Sequence, residues 1–401
     1  MAQIVYDLAP GAQLGFASAF NGLYEFADNI HALRDWGANI IADDVYYYEE
    51  PLFQDGPVSV AISDVVSSGV MYYTSAGNSN ADLNGLQVAS YEAASYRPTT
   101  CPLGLTYPGK DCHNFNFNPT GTAVNADQVT LAANGTLDID LQWSEPWNGV
   151  VTDFDLYLLD MSGNVVESDY TTNSGPGGTQ QPFAYIYHQN LTGSPQTYQI
   201  VITRYDGTGT PRIKFFFSQN TSKLTYVEFN MSAGEDTVGP TISGHSASRY
   251  VSSVGATPYD NANSVEIFSS RGPAAHYWGP VIGTLAASPI ETETLLQPDF
   301  TATDLVCTTF FFINDGTSKC YRFQGTSAAA PHAAAVAALV LQAARRYHLN
   351  LNQYSMKALL QSTAVTITTA DSYAAGAGRL DAFAAMTAIL PYHASVPIVS
   401  R

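Results

Sequence analysis

Short apolar runs and amphipathic helical patterns alternate along residues 3–100, and few architectures accept that order. Gln3–Leu8 ends at the turn Ala9-Pro10-Gly11-Ala12, and Leu14–Phe20 reads as a strand. Leu23, Phe26, Ala27, Ile30 and Leu33 then recur at helical spacing, with Gly37 just past the end, where a left-handed cap is needed. Asn39–Tyr48 reads as a strand, Val58–Ser68 as a helix closed by Gly69, and Val70–Ser75 as a further strand. This order predicts an α/β fold, a doubly wound, mainly parallel sheet covered on both faces, with ligands bound beyond the carboxyl ends of its strands.

From about residue 101 to residue 236 the period changes from mixed to two. Leu137, Ile139, Leu141 and Trp143 alternate with Asp138, Asp140 and Gln142, and β-runs follow at Phe154–Leu159, Pro182–His188, Tyr198–Tyr205, Arg212–Phe217 and Thr225–Phe229. Glycine-rich and asparagine-rich turns separate them. The expectation is an antiparallel β-sandwich, 101–236, inserted into a discontinuous α/β domain, 1–100 and 237–392, with 393–401 as a C-terminal tail. The α/β pattern resumes at the strand Val251–Val254. It ends in helices near Ser327–Tyr347 and Gln353–Gln361 and a third starting near Asp381.

The 16 Lys+Arg against 35 Asp+Glu give a formal charge of −19, which argues against nucleic acid, whose binders cluster cations on phosphates. No run of about 20 uninterrupted apolar residues is present to cross a bilayer. Cys101/Cys112 and Cys307/Cys320 form two close pairs, a spacing that local disulfides close within loops. Sequons at Asn134, Asn190, Asn220 and Asn230 fall in the sandwich region. Together these features predict a secreted, extracellular glycoprotein acting as a monomer, with neither nucleic acid nor membrane as partner. Met1-Ala2-Gln3 runs straight into core-like sequence with no signal segment, so the beginning is expected to lie upstream.

The stretch Gly325-Thr326-Ser327-Ala328-Ala329-Ala330-Pro331-His332 places a serine at the entry to a helix of small apolar residues. Exposed N–H groups and partial positive charge at such a helix start favour an oxyanion beside the hydroxyl. A serine there is also an ordinary helix cap. Tyr73-Thr74-Ser75-Ala76-Gly77-Asn78 ends a buried strand in a glycine and a carboxamide, where an asparagine is also an ordinary turn residue. Taken together, the two segments resemble the serine peptidases of the subtilase clan. Phe268-Ser269-Ser270-Arg271-Gly272-Pro273 and Gln297-Pro298-Asp299-Phe300-Thr301-Ala302 also match, in the right order. The resemblance implies Ser327 as nucleophile, Asn78 as oxyanion-hole donor, and Asp44, Gly77, Gly325 and Thr326 on the substrate side. Its implied partner is a protein or peptide, hydrolysed by acyl transfer.

In subtilases the acid and the histidine base precede the oxyanion asparagine, and no such motifs occur before Asn78. Ile4–Ala12 resembles the end of the base-bearing helix in subtilases and in the related sedolisins, which use glutamate. The base and acid are therefore expected upstream of Met1 and the chain itself to be inactive, since loss of the base costs roughly 10⁶ in turnover. His245, His31 and His332 are weaker candidates for a base. Asp43 and Asp44 are two consecutive acids on a central strand, and one is expected to face a cleft. The acids of Asp153–Asp160 admit calcium without supplying the ligand spacing of a known site, so no cofactor is assigned. The rival reading is a non-catalytic scaffold whose sandwich binds glycans or proteins.

Overall fold

In the computed structural model, which describes residues 1–103, 105, 109–218, 221–309, 311, 313–314, 316 and 320–390, the strand and helix alternation becomes a four-stranded parallel sheet. Its strands β1 (Ile40–Asp43), β2 (Met71–Ser75), β3 (Ser252–Pro258) and β4 (Phe300–Asp304) pair in that order, each pair parallel. Helices α1 (Ala2–Leu8), α2 (Leu23–Trp36) and α3 (Pro57–Ser67) precede the inserted sandwich. Helices α4 (Thr326–Arg346), α5 (Gln353–Ser362) and α6 (Ala382–Ile389) follow it.

Both faces of the sheet are covered, as the apolar runs require. Ile41 and Tyr72 face Ile30 of α2 and Val58, Ile62 and Val65 of α3. Tyr73, Val254, Phe300 and Ala302 face α4, α5 and α6. The alanines of α4 let the helix approach the sheet closely: Ala329, Ala330, Ala333 and Ala337 are all 0% exposed. By length and composition α4 is apolar enough to cross a membrane, but 67% of its most apolar stretch is buried inside the protein. Gly37 caps α2 at φ 103°, left-handed backbone that a side chain resists.

Leu14–Phe20 does not form the expected strand. No neighbouring strand offers it hydrogen bonds among the described residues, and Leu14, Phe16 and Phe20 stand 45%, 89% and 96% exposed. An apolar period alone does not make a strand; a partner ladder does.

The antiparallel sandwich is present and packs two sheets face to face. One contains Asp153–Asp160 and Gln196–Asp206; the other runs from Phe183–Gln189 through Thr136–Trp143, Ile213–Phe217 and Ser90–Ala93 to Thr237–Val238. Its sheets therefore extend beyond 101–236 at both ends, because Ser90–Ala93 pairs with Ile213–Phe216 and with Thr237–Val238. Leu137, Ile139, Leu141 and Trp143 meet Phe154, Leu156, Ile200 and Ile202 in the core. Both cysteine pairs are disulfides, Cys101–Cys112 and Cys307–Cys320. The expected tail, 393–401, lies outside the described residues.

Candidate active site

The carboxyl end of β2 turns through Ala76-Gly77-Asn78 directly under the start of α4. The Asn78 Oδ1 accepts hydrogen bonds from the Thr326 N–H (3.0 Å) and the Thr326 hydroxyl (2.9 Å). The Gly77 N–H donates to the same hydroxyl at 3.2 Å. With its oxygen committed to Thr326, the carboxamide presents its nitrogen; among the described residues Nδ2 donates no hydrogen bond. A Cβ added at Gly325 would lie 3.2 Å from that Nδ2 and 3.6 Å from both the Asn78 Oδ1 and the Ser327 nitrogen, so the carboxamide and the Ser327 N–H both lie close beside Gly325. Gly325 is also at φ 122°, which a side chain would strain.

Helix α4 begins at Thr326 with Gly325 as its cap residue and no side-chain cap hydrogen bond. Ser327 is thus a first-turn residue rather than the cap, and its hydroxyl is left for other work. Pro331, four residues on, has no N–H to return to the Ser327 carbonyl. Two other segments brace this turn. Asp304, at the end of β4, accepts the Gly325 N–H at 2.8 Å. Ser270 holds the Asn78 turn, its Oγ accepting the Ser79 N–H (3.0 Å) and its N–H donating to the Gly77 carbonyl (2.9 Å). That is the physical role of the segment Phe268–Pro273.

Asp44, one residue beyond β1, is exposed, and its carboxyl meets the Ser327 hydroxyl. Desolvation and the adjacent Asp43 charge raise its carboxyl above the ordinary range, against the opposing pull of the Met1 amine and the Ser327 hydroxyl. Of the paired acids, Asp44 is therefore the one facing the site. Asp43 turns inward, where its Oδ1 accepts the Thr74 hydroxyl (2.7 Å) and meets His245 Nε2 at 3.2 Å.

His245 is not positioned as a base for Ser327. It is 2% exposed, with Nδ1 2.9 Å from both Glu50 carboxylate oxygens and Nε2 on Asp43 and Thr74. Burial alone would lower its pKa, but the Glu50 and Asp43 charges outweigh burial and raise it well above the usual imidazole value. The ring lies buried between the Glu50 and Asp43 carboxyl groups. Its pairing with Glu50 joins positions 195 residues apart, and no local sequence pattern announces it. His332 lies one turn along α4, its Nδ1–H donating to the Ala328 carbonyl at 2.7 Å, and burial lowers its pKa. His31 is a surface residue of α2, 3.4 Å from Asp64 of α3. Helix α1 lies beside the start of α4, Ile4 packing with Ala328 and Phe323.

Elsewhere, the acids of the Asp153–Asp160 strand are satisfied within the sandwich: Asp153 accepts the Asn173 N–H and Asp155 the Tyr157 hydroxyl. Among the described residues no group of three or more His, Cys, Asp or Glu is arranged to hold a metal. Of the sequons, Asn134 is exposed, and the Asn230 amide donates to the Val227 carbonyl. Asn190 is 0% exposed and donates to the carbonyls of Leu131, Ala132 and Ser194, so the folded protein leaves no room for a glycan there. Asn220 lies outside the described residues.

Comparison with known proteins bears on the fold and the family. Among solved structures, the Clostridium perfringens CspB protease is similar at 13% identity and a TM-score of 0.51, over 94% of this chain and 74% of that one. MycP1 with its N-terminal propeptide removed is more distant, at 13% identity and a TM-score of 0.35 over 94% and 69%. No curated protein sequence matches. The model of the subtilase family matches residues 130–382, more than half of the chain, and this span contains Ser327, while Asn78 lies ahead of it. With that match covering α4 and the strands β3 and β4, the chain belongs to the subtilase family of serine peptidases.

Proposed function

We propose that this protein is a serine endopeptidase in which the Ser327 hydroxyl attacks the scissile carbonyl while Asn78 Nδ2 and the Ser327 N–H hold the oxygen as it becomes negative. The observation that carries this reading is the fixing of the Asn78 oxygen by Thr326, which aims the amide nitrogen at the space beside Ser327. Donors set before the reaction, at the position where charge develops, need no reorganisation in the transition state. Gly77, Gly325 and Thr326 form the backbone edge of the site, and Asp44 flanks the hydroxyl from the substrate side. Substrates are peptides or proteins.

No imidazole contacts the Ser327 hydroxyl among the described residues, and the first turn of α1 packs against α4. A fluorophosphonate probe tests the reading. It should label Ser327, fail with Ser327→Ala, and react about 10²–10³ times more slowly with Asn78→Ala. A non-catalytic scaffold predicts no labelling at Ser327, and that result would overturn the proposal.

A further inference from the structure

The sandwich meets the α/β domain through more than its two chain connections. Its strand Thr136–Trp143 turns Leu137, Ile139, Leu141 and Trp143 into the sandwich core, yet the polar side chains of the opposite face are equally buried. Asp138, Asp140 and Gln142 are 4%, 0% and 1% exposed: the segment following β1 lies across Asp140 and Gln142, and the Tyr185 hydroxyl of the adjacent strand donates to Asp138. Gln142 is the centre of that contact. Its Nε2 donates to the carbonyls of Glu50 (2.9 Å) and Tyr48 (3.3 Å), and its Oε1 accepts the Leu52 N–H (3.0 Å). The Tyr46 hydroxyl donates to Asp140 at 3.1 Å.

The same segment reaches the catalytic side. Glu50, whose carbonyl is held by Gln142, uses its carboxylate to grip the His245 ring, and His245 reaches Asp43 at 3.2 Å. Asp43 is covalently next to Asp44. A path of hydrogen bonds and covalent chain links thus runs from a sandwich strand to the wall of the site.

We propose that the inserted sandwich is a working part of the active site, in which Gln142 is a positioning residue that holds residues 44–52 where a bound peptide must meet Asp44 and Ser327. The inference rests on the reading of Ser327 as nucleophile. A side chain that satisfies three main-chain groups of one loop fixes that loop's path, because each group would otherwise be buried without a partner. A peptide extending past Ser327 depends on that path; a small probe reacting at the hydroxyl does not.

The test compares the wild-type chain with Gln142→Ala and with a control, Thr130→Val, which removes a sandwich hydrogen bond to Thr197 remote from the loop. In Gln142→Ala, amide hydrogen exchange over 44–52 should speed at least about tenfold while exchange in β2 stays unchanged. Peptide kcat/KM should fall about tenfold or more, chiefly through KM, with fluorophosphonate labelling of Ser327 unaltered. Thr130→Val should alter neither. Unchanged exchange in Gln142→Ala would overturn the clamp, and an equal loss of labelling and peptide cleavage would reduce Gln142 to general stability. A wild-type chain that does not label Ser327 would instead defeat the peptidase reading, and the proposed role with it.

Discussion

Thr326 shows how much of the site rests on one side chain. Its hydroxyl and its N–H both fix the Asn78 oxygen, and the hydroxyl also receives the Gly77 N–H. Thr326→Val keeps the shape and removes the hydroxyl, so the carboxamide gains freedom to turn. The expected result is a fall in kcat of about tenfold with KM little changed, less than loss of Asn78 itself; an unchanged kcat would show that the backbone bond alone holds the amide. Ser327 and Asn78 were legible in the sequence because each lies in a short, ordered motif at an element boundary. The grip of Thr326 on Asn78 was not, since it joins residues 248 apart. Asp43 and Asp44 were legible as an anomaly, two acids on a buried strand. Which of them faces the site depends on His245, and nothing in the local pattern announces that partner.

The elements followed their sequence patterns where a period and a boundary signal coincided. Helices α2, α4 and α5 fall within a residue or two of the expected spans, and the sandwich strands track the period-two runs closely. The period fails to say what covers a polar face. Asp138, Asp140 and Gln142 alternate as a solvated strand face would, yet all three are buried, Asp140 and Gln142 under a loop from the other domain. Helix α5 makes a comparable hidden contact with the sheet. Gln353, 2% exposed, accepts the Tyr72 N–H at 2.9 Å and donates to the Tyr72 carbonyl (3.2 Å) and the Ser252 hydroxyl (3.1 Å). Gln353→Ala strands those groups and should destabilise the fold by about 1–3 kcal/mol, measured by urea denaturation. A midpoint identical to wild type would mean that α5 docks by its apolar face alone.

Across the whole molecule, the acidic balance is partly masked by burial. Desolvation raises Asp127 to about 8, Asp155 to about 7 and Glu266 to about 7, the last assisted by Asp304. These carboxyls hold protons in the folded state that the unfolded chain releases at ordinary carboxylate pKa values. Their contribution to stability is therefore present at acidic pH and lost as the pH rises through 7 and 8. The raised His245 acts in the same direction, its stabilisation lost at high pH. His113 and His276, lowered by burial, act oppositely, but only as the pH falls through the ordinary imidazole range. Tm should accordingly decline steadily from about pH 6 to pH 9, the interval in which the carboxyls and His245 dominate. A Tm that rises over this interval would show that the buried carboxyls are ionised and compensated.

The central claim is that one hydroxyl and one carboxamide, brought together by β2 and α4, stabilise a tetrahedral oxyanion. A crystal structure of the protein with a peptide boronic acid tests it directly. The account predicts boron bonded to Ser327 Oγ and a boronate oxygen about 2.7–3.1 Å from both Asn78 Nδ2 and the Ser327 nitrogen. A boronate bound elsewhere, or bound to Ser327 with its oxygens turned away from Asn78, would contradict it.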